Sequence, residues 1–178
     1  ECKNTMEKFY YFLRGHDLDN MEKVSLGSIV LDILDIVNHK LNTIGSLKKI
    51  EVRFKIDTSE KINCNEFEIK QALINILLNA VDAMEENGGI LSINLYGEGT
   101  FIILEISDTG VGIPKKNLSK IFHYNFTTKK DGTGLGLRIS KKVFEEHCGD
   151  ILVESKVDEG TKFIIRFPKI HEPNLVMK

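Results

Sequence analysis

Asn75, Asn79, Asp82 and Glu86 recur at helical spacing in and just beyond the otherwise apolar run INILLNAVDAM. On a helix they occupy an arc of roughly 60°, while Ile69, Leu73, Ile76, Leu77, Ala80, Val81 and Met84 fill much of the remainder. A helix that apolar is buried. Its narrow polar stripe then faces either solvent or a polar ligand, because an amide left unpaired inside costs about 1–3 kcal/mol. Further on, SDTGVGIP ends an apolar strand with Asp108 and enters a turn holding Gly110 and Gly112. Asp108 at such a strand end reads as a turn former that binds its own backbone. DGTGLGL follows and runs straight into a helix. Exposed amides at the positive end of a helix form a cradle for phosphate. The loop has neither the GK[ST] of a P-loop nor the first-strand position of a dinucleotide-binding fingerprint.

These groups need a scaffold, and the hydrophobic periodicity supplies one. NTMEKFYYFLR (4 to 14) reads as the end of a helix closed by Gly15. Ser25 or Ser28 caps a second helix, with Ile29, Ile33, Ile36, Val37 and Leu41 on its apolar face and Gly45 at its end. IEVRFKID (50 to 57) alternates as a half-buried strand does. Asn65 or Glu66 opens the stripe-bearing helix, which runs to about Asn87 before Gly88 and Gly89 break it. GILSINLYG and TFIILEISD form one hairpin, DILVESK and TKFIIRFP a second, and LRISKKVFEEH a further helix between them. The expected fold class is α+β: a two-layer sandwich with a mixed, mainly antiparallel sheet of about five strands and three helices on one face.

Composition narrows the function. The chain has 178 residues, 42% hydrophobic and 28% charged, enough for one domain with a core and a short appendage. A net charge of −2 disfavours a nucleic-acid surface. No apolar run reaches the roughly 20 residues of a membrane helix, and the start carries no signal-peptide pattern. Cys2, Cys64 and Cys148 are odd in number and lack CxxC spacing, so neither a disulfide framework nor a zinc site is expected.

INILLNAVDAM, SDTGVGIP, IFHYNFTTKK and DGTGLGL stand in order, and together they resemble the N, G1, F and G2 boxes of the sensor histidine kinase ATP-binding domain. That domain belongs to the wider family shared with type II topoisomerase, mismatch-repair and heat-shock chaperone ATPases. The resemblance covers roughly residues 24 to 168 and implies the Bergerat ATP-binding fold, with ATP and Mg2+ as cofactors. By resemblance, Asn75, Asn79, Asp82 and Ala83 line the nucleotide cleft, and Asn79 gives an oxygen to magnesium, a hard cation that suits an amide carbonyl. Asp108 accepts the adenine amino hydrogen, Gly110 and Gly112 admit the base, and Ile113 with Pro114 forms an apolar edge. Thr128, Lys129, Gly132, Thr133, Gly134, Leu135, Gly136 and Leu137 form a lid over the phosphates, with Lys129 the preferred side-chain contact. Lys115, Lys116 and Lys130 are expected to be solvated. Phe122 and Phe126 pin the lid, and Thr161 supports Asp108.

Relatives that hydrolyse ATP place a glutamate where this chain has Asn75. An amide has no proton-accepting group near neutrality, so the change points to phosphoryl transfer rather than hydrolysis. Glu66, Glu68 and Glu85 are expected on solvated surface rather than as a displaced base. The F box reads HYNF, without the proline and paired aromatics of many kinases. His16 begins HDLDN, which matches a phosphoacceptor pattern, but it lies too close to Asn79 for an intervening hairpin helix, strand and helix. The expected organisation is residues 1–20 as the tail of a dimerisation hairpin and linker, 21–170 as the catalytic domain, and 171–178 as a tail.

The implied function is transfer of the ATP γ-phosphate to a histidine on a dimerisation domain missing from this chain; the alternative is a serine kinase or anti-sigma factor of the same fold. The implied partners are that phosphoacceptor hairpin and a response regulator receiver domain, not nucleic acid. The fragment is expected to be monomeric and cytoplasmic, within a full-length homodimer that membrane segments could anchor. NAVDAM resembles the nitrogen-regulation subclass more than the NAxKYT type.

Overall fold

Asn65 holds an extended backbone and its side-chain oxygen accepts the N–H of Glu68 at 3.3 Å, which turns the chain into its central helix. In the computed structural model, which describes residues 21–44, 50–129 and 132–170, the chain begins with β1 (Glu22–Ser25) and α1 (Leu26–Ile44). β2 (Ile50–Ile56), β3 (Lys61–Cys64) and α2 (Glu66–Ala83) follow. β4 (Gly89–Glu98) and β5 (Phe101–Asp108) make the first hairpin, and α3 (Lys115–Leu118) and α4 (Gly136–Glu146) lead to β6 (Asp150–Lys156) and β7 (Gly160–Pro168).

The main sheet runs β2-β4-β5-β7-β6. Only β2 and β4 are parallel, and β3 with α2 provides the crossover such a pair requires. Alternation sets the inner face: Ile93, Ile106 and Phe163 form one row, and Leu95, Leu104 and Ile165 the next. All six are buried under the helices, where the Phe144 ring of α4 meets Phe167 edge-on at 5.8 Å. On α1, Ile29, Ile33 and Val37 face this core as the periodicity predicts; the side chains of Ile36 and Leu41 lie outside the described residues, as do the expected helix at 4–14 and His16. The architecture is the α+β sandwich expected from the pattern.

Three details differ. The central helix stops at Ala83 rather than near Asn87, because the Val111 N–H takes the Ala83 carbonyl at 3.1 Å and Met84 turns out of helical geometry. Glu86 therefore falls in the following turn and leaves the polar stripe. A second, two-stranded antiparallel sheet joins β1 to β3, each only four residues long and too brief for alternation to announce. Glu68, expected on solvated surface, is buried, with its Oε2 3.7 Å from His147 Nε2.

His147 has a structural role of its own. Its Nε2 accepts the Asn65 N–H at 3.0 Å, so Nδ1 carries the proton and donates to the Val143 carbonyl at 2.7 Å. The imidazole thus ties the start of α2 to the end of α4. Cys64 is buried, and desolvation pushes its thiol up to about 12, which leaves it an inert core group. Cys148 is exposed, and both are free thiols; Cys2 lies outside the described residues.

Candidate functional site

α2 presents Asn75, Asn79 and Asp82 to a cleft of about 1040 Å³ that opens between this helix, the turn after β5 and the segment before α4. The stripe faces a cavity, the second of the two possibilities its composition left open. Ala83 and Glu85 lie on the same wall, Glu85 exposed at its rim. Glu66 lies elsewhere and pairs with Lys70.

Asp108 closes one end of the cleft. It is buried, and its Oδ1 accepts the Gly110 N–H at 2.8 Å. Burial raises its carboxyl above the usual range, against the opposing pull of backbone N–H groups from Gly110 and Thr161. Thr161 pairs with Asp108 across the β5–β7 ladder and also lines the cleft. Gly112 and Ile113 line it as expected, whereas Gly110 packs behind: a Cβ there would come within 2.5 Å of the Ala83 carbonyl oxygen. Gly112 has φ +67°, and a Cβ would sit 2.1 Å from the Lys156 carbonyl oxygen, so the turn is held against the β6–β7 hairpin.

The opposite end carries the segment expected to form a lid. Thr128, Lys129, Gly132, Thr133, Gly134, Gly136 and Leu137 face the cleft, while Leu135 sits at the N-cap of α4 and does not. The Cβ position of Gly136 is 3.7 Å from the Asn75 amide, so the start of α4 abuts the polar stripe. Lys129 Nζ donates to Asn79 Oδ1 at 2.9 Å and to Asp82 Oδ2 at 2.6 Å. Lys115 and Lys116 are exposed away from the cleft, and Lys130 lies outside the described residues.

The F segment docks through its aromatic side chains. Phe122 and Phe126 pack against the core, and Lys141 lies 5.3 Å above the Phe122 ring. Tyr124, though exposed, holds Arg138 of α4 at 5.0 Å from its ring centre. Sequence reasoning missed Asn117, Val111 and Phe163 on the cleft wall. Val111 lies within SDTGVGIP and Phe163 at an inward position of a strand that alternates, whereas Asn117 carried no signal.

Residues 64–171 match the family described as histidine kinase-, DNA gyrase B- and HSP90-like ATPase. The chain is 33% identical to sporulation kinase E of Bacillus subtilis (strain 168) over 147 residues, covering 83% of this chain and 20% of that protein. It is 31% identical to the sensor histidine kinase ZraS of Escherichia coli (strain K12) over 155 residues, covering 85% of this chain and 33% of ZraS. The chain thus spans a fifth to a third of the length of these relatives. The solved catalytic domain of histidine kinase ThkA superposes with a TM-score of 0.73 at 30% identity, covering 84% of this chain and 95% of that one. The cleft, the four ordered segments around it and these likenesses agree: the chain belongs to the histidine kinase-, DNA gyrase B- and HSP90-like ATPase family, with the fold of a histidine kinase catalytic domain.

Proposed function

We propose that this chain binds Mg-ATP in the cleft and presents the γ-phosphoryl group to a histidine on a separate helical hairpin, as the catalytic domain of a two-component sensor histidine kinase. The carrying observation is Asn75, an amide on the cleft wall beside the start of α4. Hydrolysis at that position needs a base to take a proton from water, and an amide supplies none. Phosphoryl transfer to a supplied acceptor depends mainly on positioning and charge neutralisation, which the cleft provides.

Asp108 would orient the base by accepting from its amino group. The lid amides from Gly132 to Leu137 and the positive end of α4 would hold the phosphates. The pair Asn79 and Asp82 already gathers its oxygens around one cation, the Lys129 ammonium, and that hard-oxygen set fits magnesium. When bound, magnesium would neutralise phosphate charge, with Asn79 as its ligand and Asp82 beside it. Lys129 would then turn toward the phosphates.

The crystal structure of ThkA with the response regulator protein TrrA supports a receiver domain as the downstream partner here. A homodimeric full-length protein and a cytoplasmic place for this domain, where ATP is available, complete the reading. Among the described residues no helix is long and apolar enough to cross a membrane.

The test mixes the chain with γ-labelled ATP, magnesium and a dimerisation hairpin supplied in trans from a related histidine kinase. Label is expected on histidine of the hairpin, acid-labile and base-stable. Label on serine of a partner, or rapid phosphate release without any partner, would overturn the proposal. Asn79→Asp is expected to shift the magnesium concentration that half-saturates ATP binding by about threefold or more, the added charge altering the metal's ligand set. An unchanged magnesium dependence would remove Asn79 from that role.

A further inference from the structure

Ser155 stands in β6 directly opposite Thr161, which is itself opposite Asp108, so the three occupy one row across the inner face of the sheet. It does not line the cleft, yet its hydroxyl reaches three groups that do or that support it. Its Oγ accepts the Ile113 N–H at 2.8 Å, lies 2.8 Å from the Gly160 carbonyl oxygen, and lies 3.0 Å from Thr161 Oγ1.

The proton count decides the directions. A serine hydroxyl has one proton and two lone pairs. The Gly160 carbonyl can only accept, so the Ser155 proton goes there. One lone pair takes the Ile113 N–H, and the other is left for the proton of Thr161. With its proton turned back toward Ser155, Thr161 presents only lone pairs to the cleft. Beside it stands the Asp108 carboxylate, which accepts from Gly110 on its far side. This end of the cleft is therefore a wall of acceptors. An amino group or a water bridging from one satisfies such a wall, whereas a carbonyl oxygen meets it lone pair to lone pair.

We propose that Ser155 is a positioning residue for base recognition: it fixes the Thr161 hydroxyl as an acceptor, and so makes the cleft take a 6-amino purine and refuse a 6-oxo purine. The inference rests on the reading that this cleft holds ATP. Removing the Ser155 hydroxyl frees the Thr161 proton to rotate into the cleft, where it can donate to a 6-oxo group. The loss then falls on selectivity rather than on binding in general.

Titrating the full chain with ATP and with GTP, both with magnesium, reads the effect as a ratio of affinities. Ser155→Ala is expected to lower the ATP-over-GTP preference about tenfold, one hydrogen-bond's worth of discrimination. Ser155→Thr, which keeps the hydroxyl, is expected to restore it, and in a Thr161→Val background Ser155→Ala is expected to leave the ratio unmoved. If Ser155→Ala does not fold, Ser155→Cys repeats the comparison with similar volume and a much weaker donor and acceptor. Equal weakening of ATP and GTP, or failure of Ser155→Thr to restore the ratio, would overturn the proposal and leave Ser155 a structural group. A wild-type chain that does not prefer ATP to GTP would instead overturn the reading of the cleft itself.

Discussion

Asp108→Asn is expected to weaken ATP binding about a hundredfold, the loss of one hydrogen bond to a buried charged acceptor of roughly 2–3 kcal/mol. The carboxylate has only lone pairs to offer and receives N–H groups from the backbone of Gly110 and Thr161. An amide in its place must either aim its NH2 at those donors or turn it toward the base. Both choices set donor against donor. Isothermal titration with ATP and GTP checks the result, and retained tight ATP binding would sink the assignment of Asp108 to the base. Acid acts on the same group. Because burial raises its carboxyl, ATP affinity is expected to fade on acidification at a pH above the ordinary carboxylate range. The sign for stability is opposite: a carboxyl raised in the fold holds its proton more tightly there than in the unfolded chain, so this one group favours the fold as pH falls.

Gly160→Ala is expected to cost about 4 kcal/mol and to lower Tm by roughly 10 °C. The residue sits at φ +105°, where an L side chain is strained, and a Cβ would lie 1.9 Å from the Asp108 carbonyl oxygen. That neighbour is backbone at the end of β5, paired to β4 on one side and to β7 on the other, so it cannot swing aside as a flexible side chain does. Relief requires parting β7 from β5 at Asp108 and Thr161, the residues proposed to bind the base, and ATP binding is expected to be lost with stability. Thermal unfolding followed by circular dichroism reads the first effect. An unchanged Tm would mean that the β6–β7 hairpin is not clamped to β5 as the geometry indicates.

The parts of this fold that repeat a period were readable from sequence. Alternation marked the strands of the main sheet, the 3.6-residue stripe marked α2, and glycines marked the loop that leads into α4. What escaped depended on distant partners. The end of α2 is set by a hydrogen bond from Val111, which no property of residues 84–87 foretells. Glu68 looks solvated by its place on the helix, yet His147 lies against it from far along the chain. Of the expected cleft residues, Gly110 and Leu135 stand just behind the surface because a motif names a segment, while exposure depends on which way each backbone unit turns. Ser155 escaped for the same reason: a single serine in DILVESK says nothing until β6 pairs with β7.

The strand order carries a consequence for folding. The β4–β5 and β6–β7 hairpins each close locally, but Asp108 and Thr161 meet only along the β5–β7 seam that joins them. That seam has a long loop to close, which makes it the costly and late pairing. A nucleotide held at its polar end, as proposed, would work as a staple across the two halves. Since it binds only the joined form, a concentration of 100 times Kd adds about 2.7 kcal/mol to the stability of the whole domain. Occupancy of the cleft and integrity of the sheet thus form one linked equilibrium.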